Sequence, residues 1–168
     1  MSKRCNGAAW KLNLDFKYTS RATPQQNSLA ETSFTVILNK AQTLMVDANV
    51  PYHMKYKIIQ EAIKTATKLD GLVIATINGK SQTRYEHFGY KIPKFASYLK
   101  AWGEAGVVKT KSKTEAKLKN KGTTCIMVGY ANEHNGDCYR MYDPINHCIY
   151  QTRDVVWLKH MYYPKPTD

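Results

Sequence analysis

Residues 12–19 alternate apolar and polar, placing Leu12, Leu14, Phe16 and Tyr18 on one side of an extended chain. A period of two predicts a strand. After Ser20-Arg21-Ala22, a turn-like stretch, the period changes. Thr23 is placed as an N-cap, Pro24 fits the first helical position, and Gln26 completes a T-x-x-Q capping box. A helix is predicted from there to about Asp47, with Phe34, Ile37, Leu38, Ala41, Leu44 and Met45 as its apolar stripe. Pro51 opens a second predicted helix, to about Lys68, with a stripe of Tyr52, Tyr56, Ile59, Ile63 and Ala66. Gly71 and Asn78-Gly79 break the chain. A short helix is predicted over 83–89, Ile92-Pro93 marks a turn, and the pattern leaves the type of the apolar patch Phe95–Leu99 open.

After Trp102-Gly103 the period is two again. Strands are predicted at Ala105–Val108, Thr124–Val128, Cys138–Tyr142, Cys148–Tyr150 and Val155–Trp157. Glu133–Gly136 reads as a hairpin loop. Asp143-Pro144-Ile145-Asn146 reads as a turn, with Asp at its first position and Pro at its second. Short strands so closely spaced predict a small antiparallel barrel. The fold class is therefore α+β, and the chain divides near residue 100.

Composition bounds the possibilities. The chain has 168 residues, 43% of them hydrophobic, enough for a core. No apolar run approaches the roughly 20 residues of a membrane span, and Met1–Trp10 lacks the apolar region of a secretory signal. Cys5, Cys125, Cys138 and Cys148 form no C-x-x-C pair and read as reduced thiols of an intracellular protein.

Charge changes the picture more. Lys and Arg total 25 against 13 Asp and Glu, a net +12, which points to an acidic partner, nucleic acid above all. Nine lysines against two glutamates fall in residues 91–121, a net +7. Lys109, Lys111 and Lys113 alternate as on one face of a strand, and Lys117, Lys119 and Lys121 follow. Such a segment serves either as a solubilising loop beside an edge strand or as a contact for phosphates. Lysine without interleaved aromatics favours backbone contact over base readout, hence low sequence specificity.

Glu31 is the candidate site residue of the first helix. It lies three residues before Phe34 and seven before Leu38, on their face. A carboxylate there is costly unless paired or metal-bound; at the edge of the stripe it reaches solvent instead. His134, Cys138, His147 and Cys148 surround one predicted hairpin, but their spacing fits no zinc module, and adjacent strand residues point to opposite faces. Buried thiols and surface histidines are the better reading.

Several motifs, in one order, carry a family resemblance. Thr23-Pro24-Gln25-Gln26-Asn27-Ser28-Leu29-Ala30-Glu31 resembles the T-P-Q-Q-N-x-x-A-E segment of copia-type retrotransposon integrases. Thr83-Arg84-Tyr85-Glu86-His87-Phe88 is similar to the T-P-x-E-x-W/F segment that follows the integrase core. Lys121–Tyr130, ending Val128-Gly129-Tyr130, resembles the K-C-I-F-I-G-Y strand. Tyr139-Arg140-Met141-Tyr142-Asp143-Pro144 resembles Y-R-L-Y-D-P, and Thr152-Arg153-Asp154-Val155-Val156-Trp157 resembles S-R-D-V-V-F. The resemblance covers roughly residues 12–158.

It implies a partial RNase H-like remnant, one strand plus helices, followed by an SH3-like barrel. Residues 1–48 would be the C-terminal remnant of the catalytic core, 49–100 a helical connector, 101–160 the barrel and 161–168 a tail. The family cuts and joins phosphodiesters with Mg2+ or Mn2+ held by an Asp, Asp, Glu set. Glu31 matches the Glu, both as catalytic residue and metal ligand. The two Asp have no counterpart among the 30 residues before it. The isolated chain is therefore expected to bind no metal tightly and to be inactive alone. The implied partners are DNA, gripped through Lys109–Lys121, and the rest of a Gag-Pol-type polyprotein, with no membrane. The implied location is the nucleus or a cytoplasmic particle. The departure Thr32-Ser33-Phe34-Thr35, where the family carries basic and Asn residues, weakens the DNA contact expected beside Glu31.

Overall fold

A helix with an apolar face, or a strand with two covered faces, forms only where something covers it. The computed structural model shows what does so here, and describes residues 28–77, 79–109, 122–132, 134 and 136–165. The predicted strand at 12–19 and the Thr23–Gln26 capping box lie outside these residues. The chain divides into two compact units, Met1–Thr35 and Val36–Asp168.

Helix α1 (Ser28–Asp47) and helix α2 (Tyr52–Asp70) confirm the two long helices. Two predicted stripes need correction. In α1, Ala41 and Met45 are buried, but Phe34 is 61% exposed. In α2, Tyr52 and Tyr56 are 72% and 69% exposed; their rings meet edge to face and their hydroxyls lie 2.7 Å apart. The buried face is instead Met54, Ile58, Glu61, Ala62, Thr65, Ala66 and Asp70. Of the predicted stripe, Ala66 is buried and Ile59 and Ile63 pack against the core; the rest of the face was missed, because it includes three polar side chains whose partners lie elsewhere in the chain.

The predicted break lies within a hairpin. Strands β1 (Ile74–Ile77) and β2 (Lys80–Thr83) pair antiparallel, with Ile77 opposite Lys80 and Gly79 at φ 75°, the left-handed conformation that Asn-Gly favours. Helix α3 (Arg84–His87) starts on a full capping box: Glu86 N–H donates to Thr83 Oγ1, and Thr83 N–H donates to Glu86 Oε2 at 2.9 Å. Asp70, at the end of α2, is buried and accepts from Lys40 of α1 and Arg84 of α3. Residues Lys94–Tyr98 form a 3-10 turn.

The remaining strands are β3 (Glu104–Lys109), β4 (Gly122–Tyr130), β5 (Tyr139–Asp143), β6 (Cys148–Thr152) and β7 (Val155–Met161). They form one antiparallel sheet in the order β6-β5-β4-β3-β7. The order explains the shape. The edges β6 and β7 are joined by only Arg153 and Asp154, a reach of about 11 Å at most. Flat, five strands would separate the edges by about 19 Å. The sheet must therefore curl. The expected barrel is corrected in one respect: among the described residues β6 and β7 do not pair, so the sheet is curled but not closed. The Asp143 turn is as predicted, with the carboxylate accepting from Ile145 N–H at 2.8 Å and Asn146 N–H at 3.1 Å.

Helix α2 packs on β4, and this contact organises the core. From Cys125 to Tyr130 every residue is buried, because β4 is covered on both faces. Between Met127 and Gly129 the register with β5 slips by one residue, a β-bulge at Val128. The Val128 carbonyl accepts from Thr65 Oγ1 at 2.8 Å and from Trp102 Nε1 at 3.0 Å. Lys68 Nζ donates to the Tyr130 carbonyl at 2.8 Å. Glu61, 5% exposed, receives Arg140 of β5 through Nε at 2.6 Å and Nη2 at 2.9 Å. No helix among the described residues is long and apolar enough to cross a membrane.

Gly129 is required by this contact: a Cβ there would stand 2.7 Å from Thr65 Oγ1. Gly129→Ala is expected to cost about 1–3 kcal/mol in denaturant melts. In a double-mutant cycle with Thr65→Ala the two effects should couple; strict additivity would contradict the contact. Burial alone would raise the Glu61 pKa, but hydrogen bonds from Arg140 and Lys64 outweigh it and hold the carboxyl below its usual range. A lowered folded pKa gives stability that is present above the unfolded value and is lost as pH falls through the folded one. Glu61→Gln should therefore flatten the acid side of the profile of thermal midpoint against pH.

Candidate nucleic-acid interface

Lys109 ends β3 as an exposed side chain, opposite Gly122 at the start of β4. The chain between these partners carries the lysine-rich segment, and Lys111, Lys113, Lys117, Lys119 and Lys121 lie outside the described residues. Since Lys109 and Gly122 are neighbours across the ladder, that segment leaves and rejoins the sheet at one place. Val107, Lys109, Gly122, Arg153, Asp154, Val155 and Val156 line an open recess of about 490 Å3 there. Arg153 and Asp154 approach at 4.0 Å with both side chains largely exposed. Such a pair contributes little in water, so Arg153 stays available to an anion. Lys109 and Arg153 are thus brought to one rim of the sheet.

Glu31 sits in the first described turn of α1, exposed. Its carbonyl accepts from Thr35 Oγ1 at 2.9 Å, while Thr32 and Ser33 hydroxyls donate to the Ser28 and Leu29 carbonyls. These hydroxyls are occupied by the helix itself. Glu31 and Lys109 belong to the two different units. Among the described residues no three His, Cys, Asp or Glu side chains gather as a metal would require. Of the histidines and cysteines whose spacing fits no zinc module, His147 lies between Tyr142 Oη at 2.9 Å and Lys57 Nζ at 3.0 Å. Cys125 is fully buried, and burial, with Asp143 and Cys148 nearby, pushes its thiol up to about 12.

A second cationic group was not foreseen. Lys64 Nζ lies 2.9 Å from Glu61 Oε1, and Lys64, Lys68 and Arg140 face one pocket beside Gly129. The helical spacing of Glu61, Lys64 and Lys68 was visible in the sequence. Nothing local showed that Arg140 would join them.

A family model for the retroviral polymerase SH3-like domain matches residues 105–168. Over 139 residues, 83% of its length, the chain is 26% identical to the retrovirus-related Pol polyprotein from transposon TNT 1-94 of Nicotiana tabacum. Together these findings support reading the chain as a region of a copia-type retrotransposon polyprotein. It spans about a tenth of that relative's length, and no solved structure matches it. The curled sheet, β3–β7, is its SH3-like domain, and the Lys109–Arg153 rim belongs to that domain.

The burial of one thiol gives a direct check on the SH3-like core. In the folded chain at pH 8, Cys125 should resist alkylation while Cys138 and Cys148 react. Mass mapping that finds Cys125 modified as fast as they are would contradict the packing around β4.

Proposed function

We propose that this region serves the integration step of its polyprotein by holding DNA through phosphates, with low sequence specificity, and transfers no phosphoryl group by itself. The observation that carries this is the pairing of Lys109 with Gly122. The two residues that flank a lysine-rich stretch of twelve thus stand together at the rim where Arg153 also stands. Lysines act on phosphates as point charges, which suits grip without readout.

The resemblance of residues 23–31 to the integrase segment supports a place for Glu31 in an RNase H-like catalytic core. There it would help hold Mg2+ or Mn2+ in the complete polyprotein. Two metals must be held against the attacking and leaving oxygens, which one carboxylate does not achieve. Docking to the rest of the polyprotein would supply the other acids.

Binding of duplex DNA to the full chain should weaken steeply with salt, since each neutralised phosphate contributes about 0.9 to the log–log slope. Replacing Lys109, Lys111 and Lys113 by Gln should reduce that slope by about 2–3. An unchanged slope would make the segment a solubilising loop and overturn the proposal. With a donor DNA end and Mn2+, the chain should give no strand transfer. Measurable product would overturn the second half.

A further inference from the structure

Beside the contact of α2 with β4 is a pocket of about 270 Å3, walled by Glu61, Lys64, Lys68, Gly129, Asn132 and Arg140 among others. Three of its side chains are cationic and one is anionic, leaving the wall at +2. Glu61 has little left to repel an incoming anion. Its Oε2 accepts from Arg140 Nε, and its Oε1 accepts from both Arg140 Nη2 and Lys64 Nζ. The cations, by contrast, have donors in excess. An ammonium carries three N–H groups and a guanidinium five. Among the described residues Lys64 uses one on Glu61, Lys68 one on the Tyr130 carbonyl, and Arg140 two on Glu61.

The positions are fixed as well as charged. Lys68 is held by the Tyr130 carbonyl and Arg140 by a two-point bond, so little ordering remains when a ligand arrives. Gly129 places no side chain in the wall. Burial and the neighbouring Arg140 charge both lower the Lys68 pKa, against a smaller opposing effect of Glu61. An anion among these groups relieves that crowding.

We propose that this pocket seats a phosphate group between Lys64, Lys68 and Arg140. The +2 wall suits the dianion of a phosphomonoester better than the single charge of a backbone diester. The ligand is therefore a terminal phosphate, borne either by the 5′ end of a nucleic acid or by a free phosphate. The described lining of the seat includes none of Lys109–Lys121, and the proposal stands whether or not that segment holds DNA.

Amide NMR of the full chain tests it, with inorganic phosphate as the first probe and 5′-phosphorylated or 5′-hydroxyl oligonucleotides of one sequence as the next two. Saturable shifts are expected at Lys64, Gly129, Tyr130 and Asn132. Lys64 is largely exposed, so Lys64→Gln should leave the chain folded, with the thermal midpoint lowered only slightly by the lost bond to Glu61. It should weaken phosphate binding about tenfold, the loss of one charge-assisted hydrogen bond, and Lys64→Arg should restore it. Tighter binding of the 5′-phosphorylated strand than of either other probe assigns the seat to a nucleic-acid end. Equal binding of inorganic phosphate and that strand assigns it to free phosphate. The Lys109, Lys111 and Lys113 to Gln variant should keep the phosphate shifts, which separates this site from the DNA-holding segment. Absence of saturable shifts at these four amides, or equal phosphate affinity for Lys64→Gln, would overturn the seat.

Discussion

At Val128 the ladder between β4 and β5 skips a residue, and the Val128 carbonyl is held from two directions, by Thr65 on helix α2 and by Trp102. A buried carbonyl without a partner is costly, so the bulge is tolerable only while both elements stay in place. Gly129 lets Thr65 come close enough to reach it. Lys68 caps the next accessible carbonyl, and Glu61 with Arg140 closes the other side. Each polar group on the buried face of α2 has its partner on β4, β5 or, for Asp70, on α1 and α3. The helical part from Val36 onward and the SH3-like sheet are thereby joined by specific polar bonds laid over an apolar core of Ile58, Ile126, Met127 and Met141.

That arrangement bears on function through charge. A buried Glu61 must be neutralised, and the chain does so with more cations than one carboxylate needs. The surplus lines the pocket beside Gly129, while the lysines of residues 109–121 belong to a separate stretch of the sequence. The basic character of the chain thus has two physical forms. One consists of side chains locked by the fold, suited to a defined small anion. The other is a dense run of lysines in the sequence between β3 and β4, of the kind that suits a long polyanion.

Much of this was legible in the sequence, but unevenly. Turn and cap chemistry was readable where it is local: Asp143-Pro144, the helix start at Pro51, and the short helix after Thr83. All five strands of the sheet overlap their predicted segments. The buried face of α2 was readable only in part: Ala66, Ile59 and Ile63 were placed correctly, but Tyr52 and Tyr56 looked like core and Glu61 did not. Only Arg140, 79 residues away, makes Glu61 a core residue. The run Thr124–Tyr130 held an unused signal, because apolar residues without alternation mark a strand covered on both faces. Closure was overread: spacing gives the number of strands but not whether the last edge pairs. Of the candidate site, Lys109 emerged exposed at the rim, and Glu31 emerged exposed at the start of α1.

If the bonds around Val128 join α2 and the sheet as described, the two must open together. Native-state hydrogen exchange measures this directly. The amides of Ile58–Ala66 in α2 and of Ile126–Tyr130 in β4 should exchange with the same opening free energy, equal to that of global unfolding. Exchange of the α2 amides at a much lower free energy, with β4 still protected, would show the helix to be a separable appendage and would contradict the account.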